Sequence, residues 1–210
     1  MVQIISAHAI QAREHLGKDT IDEKVLGAMA RVPRHHYVPP EIAAYAYADQ
    51  PLPIGCDKTI SQPFIVALMT DLLDVEPTNT VLEVGTGLGY HTAVLAELAA
   101  AVYSIEIQED LAAQARKRLA AHGHAHVHTR IGNGHFGWPE HAPYDRILVC
   151  AASDLVPGTL LGQLKRGGRM VVPTGLPESQ HLTLVQKNSE GKVAVTEILP
   201  VRFALMEAAD

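Results

Sequence analysis

Apolar residues follow two different spacings along this chain, and the change falls near residue 80. Before it, Ile21, Val25, Leu26 and Met29 recur at helical spacing, with Asp22 and Glu23 in a first turn and Pro33 closing the segment. Residues 31–55 are rich in proline and tyrosine and too irregular for a long element. Short helices and loops stiffened by proline are predicted there, and they suit the wall of a pocket. A helix is predicted to begin at Pro63, where the missing N–H costs nothing, and to run through the apolar FIVALMTDLL.

From residue 80 onward short β-branched runs alternate with helical patterns. Strands are predicted at residues 80–85, 101–107, 126–132, 144–152 and 169–175, and helices at 91–101, 109–123 and 159–168. The second helix starts acidic, continues basic and stops at Gly123; the third is expected to be closed by Gly167 and Gly168. Such alternation specifies a parallel sheet covered on both faces. Residues 181–203 read instead as two strands around the turn Asn188-Ser189-Glu190-Gly191, an antiparallel hairpin at the sheet edge. The expectation is one α/β domain, with an N-terminal helical and loop segment over 1–78 and a Rossmann-like core over 79–210.

Composition narrows the class. Hydrophobic residues at 47% and charged residues at 19% describe a globular chain, and 210 residues bury a core without disulfides or metal. Acidic side chains outnumber basic ones by 23 to 17, which argues against a phosphate-tracking surface and for no nucleic-acid partner. Cys56 and Cys150 form no disulfide framework. Without a signal-like N-terminus or a membrane-length apolar run, a cytoplasmic monomer with no membrane partner is expected.

The chemistry concentrates in Val81-Leu82-Glu83-Val84-Gly85-Thr86-Gly87-Leu88-Gly89-Tyr90, a glycine-rich turn between a strand and a helix. Tyr90 stands where a dinucleotide fingerprint would carry its third glycine, and there is no G-K-[ST] phosphate loop. Glu83 is expected to direct an anion toward the site, a poor neighbour for pyrophosphate and a good one for an ammonium group. Glu106 ends the next strand and is positioned for two ribose hydroxyls. Asn133, in Ile131-Gly132-Asn133-Gly134, has two readings: an adenine contact, or an ordinary Asn-Gly turn.

These motifs resemble class I S-adenosylmethionine-dependent methyltransferases. More narrowly, Arg31-Val32-Pro33-Arg34, Tyr47-Ala48-Asp49, Pro51-Leu52-Pro53-Ile54-Gly55, Thr59-Ile60-Ser61-Gln62-Pro63, Gly137-Trp138-Pro139 and Val201-Arg202-Phe203 resemble the protein-L-isoaspartate O-methyltransferase family. The resemblance implies a mostly parallel seven-stranded sheet with an antiparallel C-terminal edge. It implies S-adenosyl-L-methionine as cofactor, S-adenosyl-L-homocysteine as product, and isoaspartate-containing proteins and peptides as partners. Glu83, Gly85, Gly87 and Glu106 would hold the cofactor, with Thr86, Gly89, Tyr90, Ile107, Asn133 and Gly134 beside them. Ser61 would be the catalytic hydroxyl, and Ile54, Cys56, Thr59, Ile60, Ser61 and Arg202 would surround the substrate. The chain departs from the family at Cys56-Asp57-Lys58, where members commonly read H-G-Q.

An isoaspartyl carboxylate has a pKa of roughly 4 and is ionised at neutral pH, so the displacement at the sulfonium methyl needs alignment rather than a general base. The methyl ester then collapses to a succinimide. The alternatives are methylation of another carboxylate, or cofactor binding with weakened catalysis. Base methylation of nucleic acid is disfavoured, because Cys150-Ala151-Ala152-Ser153 replaces the [DN]-P-P-Y of a familiar class. No metal is expected: cysteine and histidine spacing fits no zinc pattern. His122, His124, His126 and His128 alternate and in a strand would project to one face, as a weak surface metal site; the other reading is polar residues flanking the third strand.

Overall fold

The centre of the sheet is β3 (Thr80–Val84), in which Val81, Leu82, Glu83 and Val84 are all buried. A strand buried on both faces has to be covered by helices, which is why its sequence reads as an unbroken apolar run around Glu83. The computed structural model describes residues 1–124 and 126–208. β3 pairs in parallel with β4 (Ala101–Glu106) on one side and β6 (Tyr144–Val149) on the other. Beyond β4 lies β5 (Val127–Ile131).

On the opposite flank, β7 (Leu164–Leu176) runs parallel to β6. β8 (Ser179–Lys187) and β9 (Val193–Val201) then add antiparallel strands. The seven strands stand in the order β5-β4-β3-β6-β7-β8-β9. The chain winds outward from β3 to β5 and returns across β3 to β6. That reversal opens a crevice beyond the carboxyl ends of β3 and β6.

Two helices that matter to the site flank these strands: α5 (Tyr90–Ala96) follows β3, and α6 (Glu109–Ala121) follows β4. The N-terminal segment supplies α1 (Val2–Gln11), the short α2 (Arg13–Leu16), α3 (Glu23–Arg31) and α4 (Pro63–Leu73). α4 begins at Pro63 as the sequence suggests, and Leu68, Met69 and Leu73 on it are fully buried. α3 is capped by Asp22, whose carboxylate accepts from the Lys24 N–H at 2.8 Å. Between α3 and α4 come two 3₁₀ turns (Arg34–Tyr37 and Pro40–Tyr45), then the hairpin of β1 (Leu52–Gly55) and β2 (Lys58–Ile60). No helix among the described residues is long and apolar enough to cross a membrane.

Two expectations need correction. The helix over residues 159–168 is shorter: α7 (Gly158–Gln163) ends at Gln163, and the following residues begin β7. Leu164 pairs with Tyr144 of β6 and is buried, so packing overrides the helical pattern. Gly168 is not a helix stop but a close approach, since a Cβ there would sit 2.7 Å from the Lys165 carbonyl oxygen. Of the alternating histidines only His128 lies within β5, which starts at Val127, so His122, His124 and His126 precede the strand rather than share its face. His122 stacks on His36 instead, and His128 on Tyr103.

Candidate active site

The turn after β3 fixes the crevice. Gly85 has φ +94°, and a Cβ on it would meet Cys150 Cβ at 3.2 Å, so both conformation and contact demand glycine. Its N–H donates to the Ile105 carbonyl at 2.8 Å. The Gly87 N–H donates to Glu106 Oε2 at 2.8 Å, and the Gln108 N–H to Oε1 at 3.0 Å. The carboxylate that ends β4 is thereby held rigidly beside the glycine loop. Gly89 is set back: it faces α6, where a Cβ would touch Leu119 at 3.3 Å.

A cavity of about 560 Å³ spans this loop and the β1–β2 hairpin. That volume accommodates a cofactor-sized ligand. Gly85, Thr86, Gly87, Tyr90, Glu106, Ile107 and Gly134 line the cavity. Ile54, Thr59, Ile60, Ser61 and Arg202 line it as well, so the structure brings both expected groups to one continuous wall.

Four expected residues lie off that wall. Cys56 is exposed at the hairpin tip, and Gly89 serves helix packing. Asn133 accepts from the His135 N–H at 2.9 Å through Oδ1 and caps the 3₁₀ turn Gly134–Phe136. Glu83 does not present an anion to the crevice. It is fully buried, and its Oε2 accepts from Thr92 Oγ1 and Ser104 Oγ, each at 2.5 Å. Burial pushes its carboxyl up to about 7, against the two hydrogen bonds, and nearby Glu106 adds to the rise.

Several contributors escaped the sequence reading. Arg34 is fully buried; its Nη2 donates to the Ser61 carbonyl at 2.7 Å and its Nε to the Ala46 carbonyl at 2.9 Å. Its guanidinium lies 4.8 Å above the Tyr90 ring. Burial lowers its pKa to about 10, so it stays charged near neutrality. The only sequence signal was its place in Arg31-Val32-Pro33-Arg34.

Residues 202–207 form a strap across the end of β6. The Ala152 N–H donates to the Ala204 carbonyl at 2.8 Å, and the Met206 N–H to the Ala152 carbonyl at 2.7 Å. Glu207 pairs with Lys58 from the hairpin and accepts from Gln108 Nε2 at 2.8 Å. Hairpin, strap and the start of α6 are tied at one point on the cavity rim. His91 and Cys150 complete the wall, with His91 Nδ1 3.8 Å from Cys150 Sγ.

A glycine loop after the central strand, a carboxylate fixed at the tip of its neighbour and an antiparallel edge define a class I S-adenosylmethionine-dependent methyltransferase fold. A sequence profile described as protein-L-isoaspartate(D-aspartate) O-methyltransferase matches residues 10–208. The chain belongs to that family. It is 58% identical over 210 residues to protein-L-isoaspartate O-methyltransferase 1 of a Polaromonas species, covering 100% of this chain and 89% of the relative. A Syntrophobacter fumaroxidans relative, protein-L-isoaspartate O-methyltransferase 2, is 52% identical across 97% of this chain and 83% of its own length. A solved protein-L-isoaspartate O-methyltransferase superposes with TM-score 0.83 at 26% identity, over 99% of this chain and 66% of that one.

Proposed function

We propose that this enzyme transfers the methyl group of S-adenosyl-L-methionine to the free carboxylate of L-isoaspartyl residues in damaged proteins and peptides, starting repair through a succinimide. The observation that carries the reading is one continuous cavity lined both by the glycine loop with Glu106 and by residues 59–61. Methyl donor and acceptor can then meet within one continuous cavity that holds them in alignment. In this reading Glu106 takes the ribose hydroxyls, and Gly85 and Gly87 let the cofactor approach the main chain. Ser61 donates a hydrogen bond that orients the acceptor carboxylate, which is already ionised. Ile54, Thr59, Ile60 and Arg202 surround the acceptor backbone. The family name and the curated relatives support the same substrate. The enzyme is read as a cytoplasmic monomer acting on protein rather than nucleic acid.

The test offers labelled S-adenosylmethionine with an isoaspartyl peptide and its normal-aspartate twin. Base-labile label on the isoaspartyl peptide alone is expected. Tight cofactor binding with transfer to neither peptide would overturn the substrate assignment.

A further inference from the structure

Three side chains that the methyl-transfer reading leaves without a task converge under the cavity wall. Glu83 comes from β3, His91 from α5 and Cys150 from just beyond β6. Their ligand atoms all lie within 4.8 Å of one another. We propose that Glu83, His91 and Cys150 form a site for a borderline divalent cation, zinc foremost, in a place where it controls methyl transfer.

The hydrogen bonds around the three groups prepare them for this. Thr70 Oγ1 donates its only proton to the Val66 carbonyl at 2.7 Å, so at 2.8 Å it can only accept from His91 Nε2. That contact fixes the tautomer and leaves the Nδ1 lone pair facing Cys150 Sγ. Glu83 Oε2 is occupied by Thr92 and Ser104, whereas Oε1 is fully buried and has no partner among the described residues. A buried acceptor left without a donor is destabilising, and a cation would relieve that cost.

Thiolate, imidazole and carboxylate together suit zinc and disfavour magnesium or calcium. Zinc bonds of about 2.0–2.3 Å imply donor separations near 3.5 Å, so the site closes by about 1 Å on binding. The balance is simple: the Cys150 S–H bond breaks, an S–Zn bond forms and the proton leaves to buffer, with no change of oxidation state. Three protein ligands leave a fourth position open. Because His91 and Cys150 also line the cavity, the bound cation would compete with the cofactor there. None of this was visible as a motif, since the ligands stand 8 and 59 residues apart.

Cobalt(II) tests the site in a Cys56→Ser background, where Cys150 is the sole thiol. Expected are a thiolate-to-cobalt charge-transfer band and tetrahedral ligand-field bands that saturate at one equivalent and are bleached by Zn2+. Cys150→Ala in that background should abolish the charge-transfer band. Thr70→Val should weaken cobalt binding by about 10–100-fold while the circular-dichroism spectrum stays native. If Cys150→Ala does not fold, His91→Gln supplies the contrast through an affinity loss of about tenfold or more. Absence of the charge-transfer band in folded Cys56→Ser protein overturns the proposal, as does its persistence without Cys150 or an unchanged affinity in His91→Gln.

Discussion

Arg34 reaches from a 3₁₀ turn to the carbonyl oxygen of Ser61, 2.7 Å away, and so ties the segment after the β1–β2 hairpin to the 3₁₀ turn behind it. A buried cation with two carbonyl acceptors and an aromatic face beneath it is a positioning device for Ser61. Arg34→Lys keeps the charge but loses the planar fork that serves both carbonyls. It should lower stability by about 2–3 kcal/mol in urea unfolding. It should also raise KM for isoaspartyl peptide while cofactor affinity changes little. Equal loss of peptide and cofactor binding would contradict the positioning role.

Ser61→Ala removes a hydroxyl and leaves the main chain that Arg34 holds. A hydrogen bond to a charged acceptor is worth about 1.5–3 kcal/mol, so kcat should fall about 10- to 100-fold. Calorimetry with S-adenosylmethionine should give nearly the wild-type Kd.

The rim tie between Lys58 and Glu207 should slow product release only modestly, because both side chains are partly solvated. Lys58→Met is expected to speed S-adenosylhomocysteine dissociation about two- to fivefold at low salt, with the difference shrinking as salt rises. The hydrogen bond from Lys58 holds the Glu207 carboxyl below its ordinary value, against a small effect of burial. The tie should therefore persist across neutral pH and open only as pH falls through that lowered value. Stopped-flow release measured at both salt extremes checks this.

Cys56 and Asp57 both sit at positive φ, +52° and +54°, at the tip of the β1–β2 hairpin. Glycine removes the side-chain penalty of that conformation, and Asp57→Gly should raise stability by about 1 kcal/mol. A melting temperature that falls would show that the Asp57 side chain carries an unrecognised stabilising contact.

Acid should unfold the protein partly through Asp145. Burial alone would raise its carboxyl, but the hydrogen bonds from Lys165 Nζ at 2.7 Å and the Thr80 N–H at 3.0 Å outweigh it, and the net shift is downward. The folded form therefore binds its proton less readily than the unfolded chain. Its stabilisation is complete above the unfolded value and is lost as pH falls through the folded one. Asp145→Asn should be less stable at pH 7, and its urea midpoint should decline less steeply between about pH 5 and 3.

The sheet was legible because its signals are local. Residues 80–90 announce strand, turn and helix within one window, and residues 181–203 alternate clearly enough to declare the hairpin of β8 and β9. At residues 164–168 two local signals conflicted, and pairing with β6 decided for strand over helix. Gly85, Glu106 and Ser61 all line the cavity, because there the motif itself forms the wall. Glu83 was misjudged because alternation along a strand tells which face a side chain takes, not whether Thr92 and Ser104 wait there to bury it. Arg34 was missed for the opposite reason, since nothing local distinguishes a buried arginine from a solvated one.

The 3.2 Å approach between Gly85 and Cys150 makes the two positions a matched set in any search of sequence space. Position 85 is locked by its backbone, so size must be rationed at position 150. A library randomised there should return alanine, serine, cysteine and little else. Bulkier survivors should carry compensating changes that shift the glycine loop and with it the shape of the cofactor they accept.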